Sequence, residues 1–334
     1  MSTVDATAKP GRTARWLGLL RTRETGILLS LLAIVLVIIL SGPGARESFL
    51  RPANLQNLSR QIALLSIFAV GETFVIIAGG IDLSVGSLIA FSGVLTGLLV
   101  VEAGLPLAVA LPIVLVASAL VGLVHALLIS RLSLQPFVAT LGTMCILRGV
   151  ALLLTDSLPI PIVNQSFTHL GNGRLMGVPI PVYICLGVAA IGIAVMKGTV
   201  WGKYLYALGS NEEATRLSGI DVSRMKVVAY SLCALFTGLA GIVYAAYDRQ
   251  GNPATGTGYE LNAIAAAVIG GCSLAGGEGS VVGTILGASV LSVILNGLNL
   301  VIAKNASLWE GVIVGTVVVA AVAVNTIRQR RSGQ

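Results

Sequence analysis

Charged residues are scarce in this chain: only 10% of its 334 residues are Asp, Glu, Lys or Arg, whereas 55% are hydrophobic. The mean hydropathy is +0.93. A soluble domain needs more charge on its surface, so the composition excludes a soluble globule and indicates a protein that faces hydrocarbon. The basic residues behind the net charge of +7 lie in short connections between apolar runs. That distribution argues against a nucleic-acid partner.

Motifs for catalysis, metal binding and disulfide bonding are missing as well. The sequence contains no G-x-x-x-x-G-K-[ST] run to hold ATP phosphates, and no HExxH, G-x-S-x-G or CxxC pattern. The two histidines, His125 and His169, are far apart. Four cysteines lie in or beside apolar runs, which predicts buried packing: Cys145, Cys185, Cys233 and Cys272. We therefore expect no catalytic residue, no metal and no cofactor bound by this chain.

Long apolar runs are abundant, and most have the ~17–25 residues that a helix needs to cross ~30 Å of hydrocarbon. A membrane β-barrel would instead alternate over segments of about ten residues. The 40 glycines suit helices that pack closely in lipid. We predict an all-α, polytopic bundle of about ten transmembrane helices, the eighth being the least regular, at residues 26–42, 58–79, 83–101, 106–129, 136–155, 179–196, 227–247, 261–272, 280–302 and 308–326.

The distribution of Lys and Arg predicts the orientation of these helices. Most of the 21 basic residues fall on one side, and the positive-inside rule then puts both termini in the cytoplasm. The predicted organisation is a cytoplasmic tail at 1–25, a transmembrane domain at 26–326 and a cytoplasmic tail at 327–334. The first run could be a signal peptide, but its apolar core is long and Ser41–Ala45 is a poor cleavage site, which favours a retained helix.

The largest inner loop, residues 197–226, predicts a short exposed helix. Asn211 is a good N-cap, Glu212 and Glu213 would occupy the first turn where the helix dipole favours acids, and Gly219 would end the helix. A polar inner loop of this length invites a cytoplasmic partner.

Two glycine-rich segments join apolar runs with almost no loop. In the first, residues 74–87, Gly79 and Gly80 allow the chain to break, and either Asp82 or Ser84 can cap the following helix. The second, residues 268–280, has a similar pattern, which indicates either a parallel internal repeat or a shared need for tight turns. After it, Gly279, Gly283 and Gly287 recur every four residues, which predicts close approach of another helix.

Ionisable residues inside membrane helices are costly and usually face a cavity or a partner. The candidates are Glu72, Asp82, His125 and Arg148. Glu72 and Arg148 differ in predicted depth by roughly 8 Å, so a direct pair stays open, and His125 could either extend towards the interface or contact a neighbouring helix. The spacing of three between Asn296 and Asn299 puts them on one helical face, where they could either join helices or line a polar path.

Three segments together resemble one family. Glu213-Ala-Thr, followed by Gly219, is similar to the E-A-A-x-x-x-G coupling pattern of ABC importer permeases, with Thr215 as a departure, and residues 204–220 resemble the ribose-type branch. The GGIDLSVGS run at 79–87 and the glycine-rich run at 270–280 resemble the same branch. The resemblance implies an ATPase-coupling loop formed by Asn211, Glu212, Glu213, Ala214, Arg216 and Gly219. It also implies a set of residues that are candidates for the translocation path or for helix turns: Glu72, Gly79, Gly80, Asp82, Ser84, Arg148, Asn296 and Asn299.

The resemblance further implies a multi-pass permease of the bacterial cytoplasmic (inner) membrane that imports a sugar or sugar-like solute by alternating access. Its partners would be an ATPase subunit that holds ATP and Mg, a solute-binding protein, membrane lipid and a second permease copy, identical or closely similar. Alternatives are an ABC permease for nucleosides, or an ion-coupled secondary transporter in which Glu72, Asp82 and Arg148 couple proton or sodium movement to the solute.

Overall fold

The computed structural model describes residues 23–301 together with residues 309, 311–317, 319, 320 and 323. Within that part of the chain the protein is almost entirely helical, and its strands are two residues long. The helices are α1 (Arg23–Leu40), α2 (Pro43–Leu50), α3 (Pro52–Ile77), α4 (Val85–Gly97, extended by a π-helical turn over Leu98–Glu102), α5 (Leu107–Arg131), α6 (Pro136–Leu154), α7 (Gln165–Asn172), α8 (Ile180–Gly198), α9 (Val200–Ser210), α10 (Glu212–Leu217), α11 (Val222–Asp248), α12 (Tyr259–Ile269) and α13 (Val281–Val301).

Seven of these helices are long and apolar enough to cross a membrane: α3, α4 with its extension, α5, α6, α8, α11 and α13. The prediction of an all-α polytopic membrane protein is confirmed. The eighth predicted span is shorter than a full crossing, because α12 has 11 residues and therefore extends roughly 16 Å. The tenth predicted span, 308–326, is helical at its described residues. Residues 1–22 of the first predicted tail, and all of 327–334, lie outside the described residues.

Two helices begin earlier than their apolar runs predict. Helix α3 starts at Pro52, a favoured first position because proline's missing N–H needs no partner there. Helix α11 starts at Val222, where the Asp221 side chain accepts a hydrogen bond from the Arg224 N–H at 3.1 Å. Both extra turns are polar, so a hydropathy pattern does not detect them, whereas helix-start chemistry does.

Helices α3 and α11 form the centre of the bundle. Helix α3 is buried along its second half, and α11 packs against α3, α4 and α5. Glycines let these helices approach: a Cβ at Gly71 would lie 3.0 Å from the Cys233 Cα, and one at Gly122 would lie 2.2 Å from the Tyr230 carbonyl oxygen. Close backbone contact of this kind drives helix association in lipid, where apolar burial offers no advantage.

The periphery of the bundle is apolar. Leu36, Leu153 and Leu186 are more than half exposed on α1, α6 and α8, as expected of surfaces that face lipid. The prediction that all four cysteines are buried is wrong for Cys145, which is exposed on α6 beside the exposed Ile146. In lipid an apolar thiol needs no burial, so an apolar run does not identify its inward face.

Helix α12 and helix α13 form a tightly packed pair, as the spacing of Gly279, Gly283 and Gly287 predicts. A Cβ at Gly283 would lie 2.1 Å from the Gly270 carbonyl oxygen, and one at Gly287 would lie 2.0 Å from the Ala266 carbonyl oxygen. Gly279 contributes differently, since it lies in the turn before α13. The prediction of close approach is confirmed for Gly283 and Gly287.

At the end of the bundle remote from the glycine-rich turns, short strands fasten the connections. Ile160 and Pro161 (β1) pair antiparallel with Gly251 and Gln250 (β4), and Arg174–Leu175 (β2) pairs with Val178–Pro179 (β3). Helix α7 lies between these strands and packs on α11, where the Asn172 amide donates to the carbonyls of Ala246 and Tyr247 at 3.0 and 2.9 Å. These strand pairs and hydrogen bonds hold the C-terminal end of α11 in place.

Candidate functional site

The loop between α8 and α11, residues 199–221, carries an exposed helix where the sequence predicts one. The Asn211 side chain accepts a hydrogen bond from the Ala214 N–H at 2.9 Å and so caps α10. The helix ends at Leu217, and Gly219 follows in the left-handed region with φ 81°, a backbone angle that favours glycine. Leu217, 80% exposed, makes α10 a protruding surface with an apolar tip.

Ion pairs hold α10 against the start of α11. Glu212 Oε1 lies 3.1 Å from Arg216 on the next turn of α10 and 2.9 Å from Lys226 Nζ on α11. The second Arg216 nitrogen lies 3.6 Å from Glu213 Oε2. Exposed pairs contribute only ~0–1 kcal/mol each, but the Lys226 side chain is 15% exposed, so its pair is the better sheltered. Lys226 was not a candidate for the coupling loop in the sequence analysis, because it belongs to no recognised motif.

The same loop packs directly on both glycine-rich turns. Gly277 donates its N–H to the Ile77 carbonyl at 2.9 Å. A Cβ at Gly209, near the end of α9, would lie 1.8 Å from that same carbonyl oxygen, and a Cβ at Gly276 would lie 3.0 Å from the Gly79 Cα. We call these five residues the glycine junction. The three segments that carry the family resemblance therefore meet at one place, through backbone contacts that leave no room for side chains.

Tyr206, one turn before Gly209 on α9, reinforces this contact. Its hydroxyl donates to the Gly279 carbonyl at 2.8 Å. Burial, with a smaller contribution from Cys272, raises the pKa of Tyr206, so the phenol keeps its proton and remains a donor. Neither Tyr206 nor Gly209 was a sequence candidate; the tyrosine-rich lead-in to the loop was the signal that could have found Tyr206.

Two buried carboxylates stabilise the first glycine-rich turn from inside the bundle. Glu72 Oε1 accepts the Asp82 N–H at 3.0 Å, and its other oxygen lies 3.7 Å from the Cys233 thiol. Asp82 Oδ1 accepts both the N–H and the hydroxyl of Ser84, at 2.8 and 2.6 Å. Asp82 therefore caps the turn, whereas Ser84 occupies the N-cap position without capping through its own side chain. These bonds satisfy backbone groups that would otherwise be buried unpaired.

His125 and Tyr230 complete the buried cluster. His125 is fully buried, and its Nδ1 lies 3.5 Å from Asp82 Oδ2, so it contacts a neighbouring segment and does not extend to the interface. Its ring meets the Tyr230 ring edge-on at 6.0 Å. Within the described residues, neither ring nitrogen nor the Tyr230 hydroxyl has a hydrogen-bond partner. A Cβ at Gly80 would lie 2.3 Å from that hydroxyl, so Gly80 makes room for Tyr230.

Arg148 does not pair with Glu72. Its guanidinium donates to the carbonyls of Pro253 and Thr255, the latter at 2.8 Å, and so fastens the connection between α11 and α12 to α6. The two Glu72 oxygens instead contact the Asp82 N–H and the Cys233 thiol, and neither residue belongs to that connection. The prediction left this pair open, and the structure resolves it against pairing.

Asn296 and Asn299 have different surroundings although they share a face of α13. Asn296 exchanges hydrogen bonds with Asn54 on α3, at 2.9 and 3.2 Å, so it joins two helices. Asn299 donates to the carbonyl of Leu295 on its own helix at 2.9 Å and is exposed. Both line a cavity of about 250 Å³. Asn296 joins helices, whereas a polar path along this face stays a prediction.

Comparison with known proteins gives a consistent result. The family described as branched-chain amino acid transport system / permease component matches residues 54–322. The ribose import permease protein of Escherichia coli (strain K12) is 40% identical over 98% of this chain and all of that protein. That of Bacillus subtilis (strain 168) is 38% identical over 90% of this chain and 92% of its own length. The D-allose transport system permease protein of Escherichia coli (strain K12) is 34% identical over 88% and 90% of the two chains. No solved structure matches.

Proposed function

The chain belongs to the family of branched-chain amino acid transport system / permease components, and on that premise we propose that it is the membrane-spanning subunit of an ABC importer for a sugar. It is a multi-pass protein of the bacterial inner membrane, and like its relatives it is a transport subunit and not an enzyme. Relatives named for ribose and D-allose import support the sugar class.

The proposed assembly follows from the family. A separate ATPase subunit holds ATP and Mg and binds α10 from the cytoplasm, while a solute-binding protein delivers sugar to the opposite face. A second permease copy and membrane lipid surround the path. The proposed topology has about ten spans and both termini in the cytoplasm, with cytoplasmic tails at 1–25 and 327–334 around the transmembrane domain. The basic residues around the 199–221 loop support this orientation.

The observation that carries the proposal is the glycine junction. A displacement of α10 by the ATPase subunit is transmitted to α9, the next helix along the chain. Gly209 of α9 contacts the Ile77 carbonyl and the Gly277 N–H without an intervening side chain. Ile77 ends α3, and Gly277 lies in the turn between α12 and α13. Close-packed contacts transmit displacement because the interior has little free volume to absorb it. Movement of the loop would therefore shift both turns together and alternate access to the path.

Ion coupling is the rival mechanism, and the buried acids speak against it. Glu72 and Asp82 both accept hydrogen bonds from backbone N–H groups of the turn, a structural use that accounts for both buried acids without ion coupling. Nucleoside import is the rival substrate class, and the relatives named above are sugar permeases.

The test is reconstitution of the chain with its ATPase subunit and binding protein in vesicles. We expect Glu213→Lys combined with Gly219→Val to abolish sugar-stimulated ATP hydrolysis, because the first reverses an exposed charge and the second strains the end of α10 at φ 81°. Insertion should stay normal, because Glu213 is exposed and no atom lies within 4 Å of a Cβ at Gly219. Glu47→Lys, an exposed acid on α2, is the matched charge reversal and should leave hydrolysis unchanged. Normal stimulation in the double variant would refute docking at α10.

A further inference from the structure

A cavity of about 250 Å³ lies between α3, α11, α12 and α13. Its residues belong to the middle of α3, the last turns of α11, the second half of α13 and the first turn of α12. The glycine junction involves the opposite ends of α3, α12 and α13, so the cavity lies in the half of the bundle remote from the 199–221 loop. If that loop is cytoplasmic, as proposed above, the cavity belongs to the outer half.

Four aromatic residues line the cavity, Phe68, Tyr244, Tyr247 and Tyr259. The rings of Phe68 and Tyr259 stack at 5.9 Å with an angle of 6° between their planes, and Tyr244 meets Tyr259 at 5.3 Å. The Arg60 guanidinium lies over the Tyr247 ring, 5.1 Å from the ring centre. Aromatic rings offer broad apolar faces with polar hydroxyls at their edges, which suits a ligand with C–H faces and peripheral hydroxyl groups.

Amide side chains line the cavity as well. Gln61, Asn262, Asn296 and Asn299 all line the cavity. Asn296 is committed to Asn54, whereas Gln61 and Asn262 make no side-chain hydrogen bond with another described residue. A side-chain amide presents two donors and an acceptor oxygen, so it can pair with a hydroxyl group that acts either as a hydrogen-bond donor or as an acceptor. These groups are available to a ligand that offers several hydroxyls.

Charge is absent from the lining. Every described residue that lines the cavity is apolar, aromatic, an amide or a serine. Placing an ionised ligand in such a site would be costly because no charged side chain lines the cavity to compensate the ligand's charge. The cavity is also smaller than the ~300–1,000 Å³ typical of drug-sized ligands. Together these features select a small, neutral, polyhydroxylated ligand.

We propose that this cavity is a binding site for a neutral monosaccharide, with the sugar stacked on Tyr259 and hydrogen-bonded by Gln61 and Asn262. The proposal rests on the function proposed above and adds a site within the permease itself. Helix α3 runs from this cavity to Ile77 of the glycine junction, and α12 runs from it to the turn that contains Gly276 and Gly277. The site is therefore connected, through α3 and through α12 with its turn, to the segment on which the ATPase would act.

The first experiment measures occupancy by protection from a thiol reagent, with D-ribose as the ligand. Asn299→Cys, in a Cys145→Ser background, is assembled with the ATPase subunit in vesicles and treated with a small methanethiosulfonate. We expect D-ribose to slow modification by about tenfold at ten times its dissociation constant, and D-ribose 5-phosphate, which is charged, to have no effect. The Cys145→Ser chain that keeps Asn299 is the control, and it should show no modification that depends on sugar because its three remaining cysteines are buried. Equal protection by both compounds, or by neither, would overturn the proposal.

The second experiment separates sugar binding from folding and coupling. Asn262→Leu should lower D-ribose uptake by about tenfold, the effect of one lost hydrogen bond to a hydroxyl, while ATP hydrolysis stimulated by the loaded binding protein persists. Gln135→Leu removes an exposed amide in the connection before α6 and should transport normally. Unchanged uptake in Asn262→Leu, or an equal loss of uptake and ATP hydrolysis, would contradict the proposal.

The two proposals fail in different ways. If the unsubstituted complex shows no ATP-dependent D-ribose uptake, the importer function itself is wrong for this sugar. If that complex transports normally while Asn299→Cys gains no protection and Asn262→Leu keeps full uptake, only the cavity assignment is wrong.

Discussion

Gly209→Ala tests the contact on which the coupling proposal depends. The added Cβ would lie 1.8 Å from the Ile77 carbonyl oxygen and 2.5 Å from the Gly277 nitrogen. Both neighbours are backbone atoms that already bond to each other at 2.9 Å, so neither can rotate away as a side chain could. The variant must move α9 off the two turns or break that hydrogen bond.

The expected magnitude combines three effects. Overpacking costs ~1–3 kcal/mol, loss of the hydrogen bond about 1 kcal/mol, and the exchange of glycine for alanine inside α9 returns about 1 kcal/mol of helix propensity. The net destabilisation of the docked loop is roughly 1–3 kcal/mol, which shifts an equilibrium by about 5- to 150-fold. We therefore expect at least a fivefold fall in sugar imported per ATP hydrolysed.

The assay is uptake and ATP hydrolysis measured together in vesicles that contain the complete importer. Gly198→Ala is the matched control, since it also adds one methyl group beside the same loop but finds no atom within 4 Å. It should keep the normal ratio of sugar to ATP. If Gly209→Ala matches this control in coupling and in melting temperature, the glycine junction does not transmit movement.

Three further variants address single contacts. Lys226→Met removes the pair with Glu212 at 2.9 Å and should reduce coupling by no more than about fivefold, since a partly exposed pair contributes ~1 kcal/mol or less. Asp82→Ala should lower the melting temperature, because a buried N–H without a partner costs ~1–3 kcal/mol, whereas Asp82→Asn keeps an acceptor oxygen and should restore stability and uptake. Arg148→Met removes two charged hydrogen bonds of ~1.5–3 kcal/mol each, which releases the connection before α12. Uptake should therefore fall, and this connection should be cut more readily by a protease.

A specific result would refute each of these three predictions. Lys203→Met, on the exposed side of α9, is the control for Lys226→Met, and equal coupling in both would dismiss the pair. An Asp82→Asn variant that folds but does not transport would favour ion coupling over a structural cap. Normal uptake and normal protease resistance in Arg148→Met would show that the connection before α12 needs no such anchor.

Local chemistry in the sequence determined a large part of this protein. Apolar runs predicted the long helices because a helix must hide its backbone polar groups from lipid over a fixed length. Asn211 and Gly219 marked the ends of α10 because capping depends on residues adjacent in the chain. Where the apolar signal was interrupted by polar helical turns, as before residue 58, the predicted start was too late. The eighth predicted segment, 261–272, was already about as short as α12, but the prediction still counted it as a transmembrane helix.

Tertiary structure decided which of these segments touch. The hydrogen bond from Gly277 to Ile77 and the donation from Tyr206 to Gly279 join residues far apart in the chain, and no local periodicity records such a contact. The same is true of the amides and tyrosines of the cavity, which come from four helices. Backbone approach at glycine depends on the shape of the opposing helix, so the sequence determined where close contact was possible, and packing determined which partner filled it.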